Sequence, residues 1–472
     1  MNVLGQQASL QALNSWFAPN DPPAPEPHDD LLGFLAFFRA LNDSPIKAWP
    51  KSAYEKPYIH LPGDRFRPGL LLATDPAMVK RIMLDRVSNY DKGEVVRRRL
   101  RPMLGDGILI AGDESWRPQR RITAPLFQHR RVVDYWPTMR SLADREAGAL
   151  KTGTVVDMYD RLIGLTYGMI AGAAFSDDGV RDPAAFSRAI ADYFSTLGRV
   201  DLAAYLGLPS WVPTINRLRS APSLRWFRRE IARIVDQRAT RIDSSARVPD
   251  DLLTQLLTSQ DPKTGQPLSI ERVQDNTLVF LGAGHETTAN LMGWILFLLS
   301  EHPDWDAKLA NEIKEKTPIG PEQLDQLPLM QAVINETLRL YPPAPIIPRE
   351  ALAADQLTTS DGETVNIEAG TLVFSAPFVA HRHRGYWTEP NSFEPNRFLH
   401  NPEIDRFLYF PFGAGQRICI GARFAIQEVM AILLALLPRF RFIMVDASQV
   451  FPRGTITLRP ADRLMMRVIA RD

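Results

Sequence analysis

A run of 32 residues from Ser269 to Ser300 reads as one helix and constrains this fold more than any other stretch. At 1.5 Å per residue it is about 48 Å long, enough to cross the whole molecule, so the remaining chain has to be arranged around it. The run is mostly apolar but is interrupted by Ala283-Gly284-His285-Glu286-Thr287-Thr288-Ala289-Asn290. Glu286 and His285 at its centre argue against a membrane span, where such groups are costly. A glycine and two β-branched threonines weaken a helix locally, which predicts a bent or opened turn.

The chain has one cysteine, Cys419, inside Phe412-Gly413-Ala414-Gly415-Gln416-Arg417-Ile418-Cys419-Ile420-Gly421. A lone thiol makes no intramolecular disulfide, and in an arbitrary protein it is a small buried hydrophobe. Here Gly413 and Gly415 allow a tight turn or a flat approach to something planar, and Gly421 opens a segment with helical periodicity. Cys419 therefore stands just ahead of a helix N-terminus, where free N–H groups and the dipole favour an anion. The thiol should accordingly be easier to hold as thiolate, and a thiolate in a glycine loop can ligate a metal.

The ungapped Phe-x-x-Gly-x-Arg-x-Cys-x-Gly string resembles the haem-binding loop of the cytochrome P450 family, whose iron is held by a cysteine thiolate. The resemblance implies Cys419 as iron ligand, Phe412 and Gly421 against the haem, and Arg417 paired with a propionate. Gln416 departs from the pattern where many relatives carry proline. Four further motifs follow in the order the family shows. Trp116 and Arg120, four apart on a helical face, resemble its propionate-binding helix. Ala283-Gly-x-Glu-Thr-Thr resembles its oxygen-activation segment, with Ala283 over the iron, Thr287 holding water or dioxygen through its hydroxyl and Glu286 relaying protons. Glu336 and Arg339, with Arg397 further on, resemble its buried structural network, and Arg349 occupies the position from which relatives reach a second propionate. His381-Arg382-His383 departs from the usual His-Arg-Asp, and no chemistry attaches to His383. Ile456 and Thr457, with Ala283, Ala344 and Ile346, are expected to line an apolar substrate pocket.

The fold implied is mainly α with small β-sheets, a single unit with haem b between the long central helix and the cysteine loop. Residues 1–30 read as a flexible lead-in, proline-rich from Pro22 to Pro27, and residues 31–472 as the cytochrome P450 domain. A short buried strand is predicted around Gly69–Thr74, followed by Asp75 as N-cap and Pro76 at the first helical position. Ser141 to Arg247 reads as helices broken at Lys151–Gly153 and Leu206–Pro209. The Leu31–Ala40 stretch is too short to span a bilayer and reads as an amphipathic helix packed on the body. A net charge of +1, with no compact basic domain, excludes nucleic acid as a natural partner. The N-terminus lacks a secretory pattern, so a cytoplasmic protein is expected.

The function implied is monooxygenation: one oxygen atom of O2 enters a hydrophobic organic substrate, of the kind represented by fatty acids, terpenoids, steroids or aromatic compounds. One cysteine cannot hold an iron–sulfur cluster, so electrons from NAD(P)H are expected only indirectly, through a separate ferredoxin or flavoprotein reductase. Arg97, Arg98, Arg99, Arg101, Arg120, Arg121, Arg130 and Arg131 form a candidate docking surface for it, a solvated charge set being the alternative. Two other functions stand beside monooxygenation: a peroxide-driven haem-thiolate enzyme and a non-catalytic haem-binding sensor.

Overall fold

The computed structural model describes residues 16–18, 21–64, 67–176, 179, 215–400, 403–454, 456–460 and 463–471. The expected helix break at Leu206–Pro209 lies outside them. We label the helices that bear on the site α1 (Glu94–Leu104), α2 (Asp113–Thr123), α3 (Met158–Phe175), α4 (Ile270–Glu301), α5 (Pro328–Leu340) and α6 (Ala422–Leu436).

Helix α4 is the axis. Ser269 caps it by accepting the Arg272 N–H, and it then runs 32 residues without interruption. It stays α-helical through 283–290, so the expected opened turn is absent. The physical reason lies in the threonines: Thr287 and Thr288 return their hydroxyls to the Ala283 and Gly284 carbonyls at 2.7 and 3.0 Å, bonding within the ladder rather than replacing it. Helices α3, α5 and α6 pack around α4, and most of its residues from Val273 to Leu299 are buried. Gly284 brings α3 close, since a Cβ there would lie 3.0 Å from Ile170.

The β structure sits to one side. A five-stranded sheet runs in the order β1 (Tyr58–Leu61), β2 (Leu70–Ala73), β5 (Leu372–Ser375), β4 (Ile347–Ala351), β3 (Tyr90–Asp91). Only the β2–β5 pair is parallel, with Leu70 opposite Leu372. The predicted strand at 69–74 is β2, and Asp75 caps the next helix by accepting from Ala77 N–H at 2.9 Å and Met78 N–H at 3.2 Å. A hairpin of β6 (Pro452–Gly454) and β7 (Leu458–Pro460) returns the chain to α4.

The lead-in differs from expectation. Pro22, Ala24, Pro25 and Pro27 are buried, and the Tyr341 hydroxyl donates to Pro23 C=O at 2.9 Å. Proline fixes φ and lowers the entropy lost on docking, so a proline-rich segment serves as a rigid strap as readily as a loose end. The amphipathic helix is present at Phe34–Asp43, with Phe37 packed edge-on against Trp49. Among the described residues, no helix is long and apolar enough to cross a membrane.

Candidate active site

The cysteine loop is held by its own backbone. Cys419 N–H donates to Phe412 C=O and Gly413 N–H to Phe410 C=O, each at 2.9 Å. Gly415 lies at φ 67°, and a Cβ on it would fall 2.0 Å from the Met83 carbonyl oxygen, so only glycine fits against the segment after β2. Cys419 precedes α6, whose N-cap is Gly421, as the periodicity predicted.

The fold acts on the Cys419 thiol in two opposing ways. Burial in the fold pushes the Cys419 thiol up, while the Gly421 N–H and the Arg120 charge act in the opposite sense without overcoming it. A metal cation at the sulfur would add to the Gly421 N–H and the Arg120 charge in favouring the thiolate. Cys419 is nonetheless exposed.

On α4, Ala283 is exposed and Gly284 and Thr287 are half-exposed, on a helix otherwise buried from Val279 to Gly282 and from Thr288 to Leu299.

Around Arg417 of the cysteine loop gather further cations. Arg349, expected with equal weight as an exposed loop residue, sits on β4 and is buried; its Nη1 donates to Pro348 C=O at 2.8 Å and its Nε has no partner. Burial, and then the nearby Arg417 charge, pull its guanidinium down to about 10, with Asp91 opposing. Arg417 donates from Nη1 to Ala111 C=O at 2.9 Å, lies 4.6 Å above the Trp116 ring and has only a long 3.7 Å approach to Asp113. Burial lowers its proton affinity as well. Lys92, which the sequence reading did not single out, joins them: burial, then Arg349 and Arg417, hold its ammonium well below the usual lysine range. No family-like string marks Lys92, and only the fold brings it beside residues more than 250 positions away. Burial also lowers Arg120, which faces the Cys419 charge from α2.

A buried guanidinium with an unpartnered Nε among like charges suits an anionic ligand. Haem b fits this arrangement: two propionates for Arg349, Arg417, Lys92 and the Trp116–Arg120 helix, a flat face for the glycine loop and Ala283, and an iron for the Cys419 sulfur.

The proton-bearing residues are not all where expected. Glu286 is buried and its Oε1 accepts the Thr457 hydroxyl at 2.6 Å. The Glu286–Thr287 pair is thus adjacent in sequence but not hydrogen-bonded; the helix sends the two side chains about 100° apart. Thr457 is correspondingly a buried partner of Glu286. Leu458 N–H donates to Pro343 C=O at 2.9 Å, which brings the 456–458 turn beside exposed Ala344. Ile456 packs partly into the main core, whereas Ile346 packs against the sheet-side cluster that contains Trp49 and Leu70. Glu428 on α6 was also missed. It is wholly buried beside Thr288, and burial pushes its carboxyl well above the usual range, with the Thr288 hydroxyl opposing.

Glu336, Arg339 and Arg397 form the expected network. Arg339 Nε and Nη2 donate to the two Glu336 oxygens at 2.7 and 2.8 Å, and Arg397 Nε donates to Oε1 at 3.0 Å. The candidate docking arginines are largely paired: Arg97 with Asp91, Arg98 with Glu94 at 3.0 Å, Arg121 with Asp261 at 2.6 Å and Arg131 with Asp250 at 2.9 Å. They do not make one free basic face.

Thiol loop, cationic rim and open helix face together define a haem-thiolate protein. The sequence profile of the family described as Cytochrome P450 matches residues 68–464, and the chain belongs to that family. It is 30% identical over 399 residues to the cyclooctatin synthase of Streptomyces melanosporofaciens, covering 82% of this chain and 83% of the other. It is 30% identical over 407 residues to the pentalenene oxygenase of Streptomyces avermitilis, covering 84% and 87%. The fold matches the crystal structure of the cytochrome P450DA heme domain with a TM-score of 0.79 at 23% identity, over 95% of this chain and 98% of that one. The protein is a haem b monooxygenase that takes electrons from a redox partner.

Proposed function

We propose that the protein inserts one oxygen atom into a hydrophobic, non-ionic substrate held against Ala283 and Ala344, with Cys419 as the iron ligand and Glu286 and Thr287 as the catalytic side chains. The exposure of Ala283 and Thr287 on an otherwise buried helix, together with the exposed Cys419, supports this reading. Haem, when bound, supplies the iron at which O2 is reduced and split. Arg349, Arg417, Lys92, Trp116 and Arg120 hold its carboxylates, and Phe412 and Gly421 flank it.

Thr287 gives its hydrogen to Ala283 C=O and keeps its Oγ1 lone pairs for a proton-bearing water. Glu286 carries protons at its carboxylate, resting with Oε1 on Thr457 and swinging toward Thr287 to deliver them. The apolar groups around both exclude bulk water from the transfer. Relatives named for oxygenating pentalenene and for 5-monooxygenation of cyclooctat-9-en-7-ol support a substrate with little charge. A cytoplasmic location, a domain spanning 31–472 and a separate ferredoxin or flavoprotein reductase complete the proposal.

Thr287→Ala tests it. Product formed per NADPH consumed should fall and released peroxide rise by the same number of electrons, because proton delivery is lost while electron delivery is not. A peroxide-driven enzyme or a sensor would show no change in that ratio, and that result would overturn the assignment.

A further inference from the structure

His381 begins the His381-Arg382-His383 string, and its surroundings give it a role. The ring is wholly buried and enclosed by Tyr409, Phe410 and Trp387, with centroids 5.2, 5.4 and 6.5 Å away. Its Nδ1 faces the Arg339 carbonyl at 3.3 Å, and its Nε2 accepts the Phe410 N–H at 3.0 Å. Its own carbonyl accepts from Arg339 Nη1 at 2.8 Å. His381 thus touches the Glu336–Arg339 network on one side and the beginning of the cysteine loop on the other.

Two backbone bonds then lead to the thiol. Phe410, fixed at its N–H by His381, receives Gly413 N–H on its carbonyl, and Phe412 receives Cys419 N–H. We propose that His381 is the positioning residue that registers the Cys419 loop against the Glu336–Arg339 network, acting through a neutral imidazole whose Nδ1 carries the hydrogen and whose Nε2 takes the Phe410 amide. The tautomer follows from the partners: a carbonyl can only accept and a backbone N–H can only donate. Burial beside the Arg339 and Arg382 charges pushes the ring down to about 3, which keeps Nε2 available throughout the ordinary pH range. The guanidinium–carboxylate network is rigid because its bonds are charge-assisted, and a single neutral ring transmits that rigidity to a loop made of glycines. The inference rests on Cys419 being the haem ligand.

The experiment compares wild type, His381→Phe and His381→Gln, all haem-loaded. Phenylalanine keeps the ring volume and removes the acceptor; glutamine places an acceptor near the position of Nε2. Hydrogen exchange at the Phe410 amide should accelerate about tenfold or more in His381→Phe, corresponding to about 1.4 kcal/mol, and return toward wild type in His381→Gln. The reduced carbon monoxide spectrum of His381→Phe should lose part of its long-wavelength thiolate band, with recovery in His381→Gln. Unchanged exchange and an intact band in folded His381→Phe would overturn the proposal. Nitrogen spectra of histidine-labelled wild type give an answer that needs no substitution to fold: a hydrogen on Nε2 of His381 would refute it. A wild type without a thiolate band would instead sink the ligand assignment.

Discussion

Replacing Glu336 by glutamine should destabilise the protein more than almost any other single-charge change. The Glu336 carboxylate is wholly inaccessible and receives four donors: two from Arg339, one from Arg397 and the Glu394 N–H at 2.8 Å. Glutamine keeps the shape but removes the counter-charge of two guanidiniums, one of them fully buried, and turns an amide donor toward groups that only donate. Breaking a buried ion pair at one partner costs about 3–5 kcal/mol, roughly a hundred- to several-thousandfold in the folding equilibrium. Urea unfolding followed by circular dichroism would measure it, with Asp43→Asn as control, since the Lys47–Asp43 pair is 42% and 68% exposed and such pairs contribute about 0–1 kcal/mol. Removing both partners as Glu336→Leu with Arg339→Leu should not restore stability, because the His381, Pro390 and Ser392 carbonyls that Arg339 serves would be left unpaired. If Glu336→Gln matched the Asp43→Asn control, the network would not be the buried brace described above.

Two further outcomes follow from the geometry. Gly415→Ala should abolish the folded, haem-binding protein: the left-handed backbone adds about 1–3 kcal/mol for alanine and the new Cβ collides with Met83 C=O, whereas Gly148→Ala, with open space around it, should be neutral. Haem content per folded chain would separate them, and equal content would refute the packing argument. Acid stability should report His381. Below about pH 6.5 the unfolded histidine binds a proton that the native ring refuses until about 3. The unfolded state therefore gains protons first, and stability falls as pH drops through that window, by up to about 1.4 kcal/mol per pH unit. His381→Gln should lose that one-proton slope in urea titrations at successive pH values; an unaltered slope would mean the native ring already titrates normally.

The comparison between reading and structure divides along contact order. What the sequence determined by itself was local: the 32-residue helix with its serine cap, the Asp75–Pro76 helix start, the glycine loop ahead of α6 and the Glu336–Arg339 spacing. Each is set by residues within a turn or two of one another, where periodicity, capping and φ preferences act directly. What only the tertiary structure decided was who meets whom across the chain. Thr457 takes the Glu286 carboxylate from 171 positions away, Lys92 joins Arg349 and Arg417, and His381 joins two motifs that read as separate. The Cys419 thiol, too, feels burial and the Arg120 charge from across the chain as well as the helix that follows. Desolvation and long-range pairing are properties of the packed molecule, created when apolar surfaces close around α4, and no window of sequence contains them.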